Sequence, residues 1–133
     1  MQLGGTLFFT NAYDTLAVDA TNCTLRWCHV YQSEQQDVFQ INRGVAEANG
    51  RLFRGTPDGR LLAIDAASGK TIWQQPIGAP FQCEFFSSVP AIWQGLLIVG
   101  TAGGDWGIRG RIMAFEQEKS STATSAALQS IPS

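Results

Sequence analysis

The sequence predicts an all-β chain of two to three repeated antiparallel units, and three observations carry that prediction. A segment recurs: Leu16 to Trp27 (LAVDATNCTLRW) aligns with Leu62 to Trp73 (LAIDAASGKTIW), so Ala17, Asp19 and Trp27 return as Ala63, Asp65 and Trp73, 46 residues on. Ahead of each copy stands a short apolar run led by a glycine, and Gly5, Gly50 and Gly95 are spaced by 45 and 45. No stretch carries an apolar stripe at helical period; the helix-permissive tail from Glu116 lacks one. A period near 45 with short β runs, turns and one Trp per unit is that of a four-stranded blade of a β-propeller.

The first unit has its strand at Gly5 to Thr10 and its signature at 16–27. The second has its strand at Gly50 to Thr56 and its signature at 62–73. The third has its strand at Gly95 to Thr101, and a decaying signature in which Ala114 and Glu116 take the Ala and Asp places. These bounds give blades near 5–46, 50–91 and 95–116 within a partial propeller over 1–116. Counting on from Ala114, the Trp place falls on Thr124. The small-residue tail, 117–133, is expected to be disordered.

Each signature residue has a mechanical reason. The Asp accepts hydrogen bonds from turn N–H groups, Ser68-Gly69 supplies a tight turn with a residue able to take positive φ, and the Trp offers a flat face to the next blade. In the first copy Asn22-Cys23 stands where the second has Ser68-Gly69, and a left-handed Cys is strained, so that turn is expected to rearrange.

Composition narrows the function. With 9 Lys+Arg against 11 Asp+Glu there is no basic stripe to neutralise a phosphate backbone, which argues against nucleic-acid binding. No run approaches the roughly 18 to 20 apolar residues a membrane-crossing helix needs. Met1 to Gly5 lacks a charged n-region and apolar stretch and does not read as a secretory signal. Cys23, Cys28 and Cys83 lack metal-type spacing and read as buried or half-buried thiols, with a Cys23–Cys28 disulfide left open.

The A-x-D-x-x-[ST]-G-x-x-x-W unit of the second copy resembles the tryptophan-docking repeat of the pyrroloquinoline quinone (PQQ) dehydrogenases, the eight-bladed quinoprotein alcohol and methanol dehydrogenase family. Asn42-Arg43-Gly44-Val45-Ala46 is similar to the family's NRG motif, and Phe53 to Asp65 to the strand and hairpin that follow it. Gly103-Gly104-Asp105-Trp106-Gly107-Ile108-Arg109-Gly110 resembles its G-[GA]-[ED]-x-G-[VI]-R-G segment. The likeness runs over roughly residues 3 to 116 with spacing preserved.

The resemblance implies PQQ lying near the propeller axis with Ca²⁺ on one edge. Arg43 would donate charge-assisted hydrogen bonds to a PQQ carboxylate or quinone oxygen. Ser87, three residues before Pro90, would bond a PQQ carboxylate, and the backbone at Gly103 and Gly104 would approach the cofactor closely. Asp105 takes the place of the family's calcium-binding Glu, one methylene shorter. The family's vicinal cysteines would fall near Asp37 and Val38, and neither is Cys. No residue matches the family's catalytic base, so the resemblance implies a fragment of an alcohol- or sugar-oxidising periplasmic enzyme, inactive as an isolated chain, that in the complete protein serves an electron acceptor such as a cytochrome c. Its open blade edges would favour self-association. The alternative is a non-catalytic propeller scaffold with PQQ-like repeats that binds proteins.

Overall fold

The computed structural model describes residues 1–33, 42–76, 86–101 and 112–117, and the backbone of 126–128. Among these, twelve strands form three antiparallel four-stranded sheets, each a meander in chain order. The first holds β1 (Gln2–Leu3), β2 (Thr6–Thr10), β3 (Asp14–Asp19) and β4 (Leu25–Val30). The second holds β5 (Ala46–Ala48), β6 (Arg51–Gly55), β7 (Arg60–Asp65) and β8 (Thr71–Pro76). The third holds β9 (Ala91–Trp93), β10 (Leu96–Gly100), β11 (Ile112–Glu116) and β12 (Ala126–Leu128). Each sheet begins one strand ahead of its repeat glycine. Within the tail expected to be disordered the structure differs, since β12 pairs with β11.

The repeat glycines close hairpins whose two central residues both have positive φ: Gly4 and Gly5 at 54° and 79°, Asn49 and Gly50 at 53° and 77°, Gln94 and Gly95 at 47° and 79°. That is the type I′ geometry whose twist matches the flanking strands. The signature Ala stands between two aromatics. Ala17 pairs with Phe8 on one side and Trp27 on the other, and Ala63 likewise with Phe53 and Trp73. The Phe8–Trp27 and Phe53–Trp73 rings lie 5.9 and 6.0 Å apart across fully buried alanines, so a larger residue there would drive the indole off the sheet.

Each Trp then docks on the next sheet. Trp27 donates Nε1–H to the Ala66 carbonyl at 3.0 Å and lies over Gly69 (φ +75°), where a Cβ would come within 2.6 Å of the indole. Trp73 donates to the Gln117 carbonyl at 3.3 Å. Gln117 is the third-copy counterpart of Ala66: its N–H bonds Gly95 O as Ala66 N–H bonds Gly50 O. The third copy thus keeps the docking acceptor, a backbone carbonyl, although its side-chain signature has decayed.

The first-copy turn does not rearrange. Cys23 takes φ 61° and its N–H bonds Asp19 O at 2.9 Å, as Gly69 N–H bonds Asp65 O at 2.8 Å. The Asp19 carboxylate accepts the Thr21 hydroxyl, pairs with Arg26 and accepts the Thr21 N–H, and these bonds hold it well below the usual carboxylate range. The buried-thiol expectation is overturned for Cys23 and Cys28, which are exposed and unbonded to each other: Cys23 caps a turn, and Cys28 sits on the outward face of β4 opposite Leu16. Cys83 lies outside the described residues.

Two apolar clusters hold the sheets together. Phe8, Ala17, Tyr31, Val45, Leu52, Leu62 and Ile64 pack the first sheet on the second. Phe53, Leu61, Ala63, Trp73 and Phe86 pack the second on Leu97, Val99, Met113 and Phe115 of the third. The links that run from one sheet to the next deliver β5 and β9, which approach each other. Arg43 and Ser87 stand on those two links.

Candidate functional site

Arg43 and Ser87, 44 residues apart in sequence, are brought together: Arg43 N–H donates to Ser87 O at 2.9 Å. Asn42 sets the approach. Its Nδ2 donates to the Gly55 carbonyl at 3.1 Å and its Oδ1 accepts Gly44 N–H at 2.9 Å, so one side chain brackets the Arg43 backbone. Gly44 has φ +133°, a region that disfavours a side chain. On the opposite link, Phe86 N–H bonds Thr56 O at 3.3 Å, and the Phe86 ring is buried against Gly55, where a Cβ would fall 2.1 Å from Phe86 Cβ. Gly55 is therefore required by close approach rather than by its φ.

Arg43 is exposed and its guanidinium engages none of the described residues, while Ser87 is half-buried beside it. A planar cation and a hydroxyl, fixed through their backbones at the converging ends of two sheets, make a donor set suited to carboxylate or quinone oxygens. Gly103, Gly104, Asp105 and Trp106 lie outside the described residues. Among the described residues no group of three or more His, Cys, Asp or Glu could hold a metal ion. No helix among them is long and apolar enough to cross a membrane.

Three residues around the site were not singled out from sequence. Arg54 is fully buried and donates to the carbonyls of Asn11 (3.0 Å), Ala12 (2.7 Å) and Asp14 (2.8 Å) and to Thr15 Oγ1 (3.2 Å), stapling the second sheet to the β2–β3 turn of the first. Burial lowers its pKa to about 10, against the opposing pull of Asp14 and Tyr31. Tyr31 donates to the buried Asp58 carboxylate (2.6 and 2.8 Å), and burial, that carboxylate and its charge push the phenol well above its usual range. Asp58 also accepts the Thr56 hydroxyl and faces Arg60 Nε at 3.9 Å. An Arg in an apolar run, Phe53-Arg54-Gly55, was the available signal. His29 meets Thr71 Oγ1 at 2.7 Å across the first two sheets, and its buried Nδ1 has no hydrogen-bond partner among the described residues.

Antiparallel four-stranded sheets docked through repeated tryptophans are β-propeller architecture. The family described as outer membrane protein assembly factor BamB matches residues 3–130, and the chain belongs to this PQQ_2 family. The lanthanide-dependent methanol dehydrogenase of Methylacidiphilum fumariolicum (strain SolV) is 31% identical over 123 residues, 86% of this chain and 20% of the relative. A europium-containing methanol dehydrogenase structure superposes with a TM-score of 0.83 at 27% identity, over 94% of this chain and 23% of that one. BamB from Moraxella catarrhalis superposes with a TM-score of 0.72 at 17% identity, over 93% of this chain and 37% of that one, a likeness of fold. The chain thus spans about a fifth of the length of its dehydrogenase relatives.

Proposed function

We propose that this chain forms part of the cofactor wall of a PQQ-dependent alcohol dehydrogenase, with Arg43 and Ser87 as the described part of the PQQ seat. The observation that carries this reading is the Arg43–Ser87 pairing. Two motifs that the family resemblance assigns to one ligand meet in space, and the guanidinium stays exposed at the place where they meet. A scaffold needs docking tryptophans but has no use for such a donor pair.

Arg43 holds a carboxylate or quinone oxygen by charge-assisted hydrogen bonds, and Ser87 Oγ donates to a second carboxylate. By the family resemblance, Gly103 and Gly104 would let the backbone approach the cofactor, and Asp105 would supply a hard oxygen ligand to calcium or a lanthanide ion. When bound, PQQ supplies the two-electron acceptor for an alcohol or sugar, and the metal ion polarises its carbonyl. No residue of this chain matches the family's base that takes the substrate's hydroxyl proton, and an electron acceptor such as cytochrome c would serve the complete enzyme. The cellular setting that goes with this chemistry is the periplasm.

The purified chain supplied with PQQ and Ca²⁺ or a lanthanide is expected to show no dye-linked oxidation of primary alcohols; turnover would overturn the reading that this chain lacks the base. A chimera carrying residues 3–116 in place of the matching segment of a methanol dehydrogenase tests the wall itself. Arg43→Ala in that chimera should weaken PQQ retention at least tenfold, and unchanged retention would remove Arg43 from the seat.

A further inference from the structure

The Arg43–Ser87 pair does not rest on its own hydrogen bond alone. Both links hang from the β6–β7 hairpin, residues 55–60. Asn42 is tied to Gly55 O, Phe86 to Thr56 O, and Arg43 N–H to Ser87 O closes the triangle. The hairpin is shaped from within. Thr56 Oγ1 accepts Arg60 N–H at 2.8 Å, and Thr56 N–H and Gly59 N–H bond Arg60 O and Thr56 O at 2.9 and 3.2 Å. At its centre lies Asp58, whose side chain is only 1% exposed. Its two oxygens accept the Tyr31 and Thr56 hydroxyls. Tyr31 follows β4, so the same carboxylate anchors the hairpin to the first sheet.

A solvated turn Asp would do none of this. Burying a carboxylate is costly unless it is hydrogen-bonded, and the bonds to Asp58 include one from Thr56 of the hairpin itself and one from Tyr31, just beyond β4 of the first sheet. We infer that Asp58 is a positioning residue for the Arg43–Ser87 seat: through Thr56 and Tyr31 it fixes the hairpin from which both links are suspended. The inference rests on the cofactor-wall reading for its biological meaning, but its geometry is testable without any quinone.

The test is residue-resolved amide hydrogen exchange on the full chain carrying Asp58→Asn, with Tyr31→Phe as a milder second variant that keeps the ring in the core. Asp58→Asn is expected to speed exchange of the Arg43 and Phe86 amides by about tenfold, a 1.4 kcal/mol loss of protection. The Ala66 and Gly69 amides, at the opposite end of β7, should stay unchanged, and Tyr31→Phe should give the same pattern more weakly. Unchanged Arg43 exchange beside a loosened hairpin overturns the inference. Uniform loss of protection in both variants overturns it too, since Asp58 would then serve the fold as a whole. Parallel titration of the unmutated chain with PQQ separates the two readings. Absence of binding there with the predicted exchange pattern retains Asp58 as the positioner of the pair and removes the quinone.

Discussion

The second sheet and the first carry the same face in different circumstances. By the repeat, Leu52, Arg54, Leu62 and Ile64 of the second correspond to Leu7, Phe9, Leu16 and Val18 of the first. In the second sheet that face is buried against its neighbour, and β6 and β7 are buried on both sides. In the first sheet it looks outward, with Phe9 52% and Val30 63% exposed, and burial alternates along β2 and β3. The third sheet alternates in the same way, its buried Leu97 and Val99 turned to the second sheet. Continuous apolar strands therefore do not report how many faces are covered. Both kinds of sheet are written with the same alphabet, and the covering neighbour decides the outcome.

The largest way to break the contrast is to remove the polar staple that only the covered face has. Arg54→Met should lower the stability of the chain by about 3–5 kcal/mol, read from the urea midpoint, because it removes the buried guanidinium that donates to the part-buried carbonyls of Asn11, Ala12 and Asp14. Gly69→Ala comes next, at about 2–3 kcal/mol. It combines a positive φ with a Cβ driven into Trp27, and the emission of that tryptophan should shift as its indole leaves the second sheet. Gly55→Ala should cost about 1–3 kcal/mol by displacing Phe86, and should alter the Ser87 amide signal while the Trp27 environment stays put.

His29 gives a smaller, pH-dependent effect. Burial, reinforced by Arg54, lowers its pKa from the ordinary 6.5, while Asp14 pulls the other way. The unfolded chain therefore binds its proton more readily, so the contribution is full above 6.5 and is lost as pH falls through the lowered folded value. His29→Gln should flatten that part of a stability–pH curve. Smallest of all, Phe9→Ser on the outward face should change unfolding free energy by no more than about 0.5 kcal/mol. If that apolar face drives self-association, the same change should reduce concentration-dependent sedimentation.

Much of the fold was legible because its determinants are local and repeated. Ala63 and Asp65 have roles fixed within one sheet or one turn, Gly69 and Trp73 have docking roles that recur from sheet to sheet, and the period exposed all four. What sequence could not show was the polar contact across sheets that no repeat carries. Arg54 and Asp58 acquire their cross-sheet partners only when the Asn11–Thr15 turn and Tyr31 are brought against them, 27 to 43 residues away in sequence. The persistence of the Cys23 turn was missed for a related reason: four hydrogen-bonded residues outweighed the strain of one left-handed Cys. For the site, resemblance indicated Arg43 and Ser87 separately, and the fold brought their backbones together. The 103–105 segment stays an expectation of that resemblance.

Arg43 and Ser87 as a seat for an anionic quinone are tested most directly by ¹⁵N-resolved NMR of the chain titrated with PQQ in the presence of Ca²⁺ or a lanthanide ion. Weak binding is expected, with shift changes concentrated at Arg43, Gly44 and Ser87 and abolished by Arg43→Ala. Shifts confined to the outward face of the first sheet, or none at Arg43 and Ser87 at saturating quinone, would contradict it.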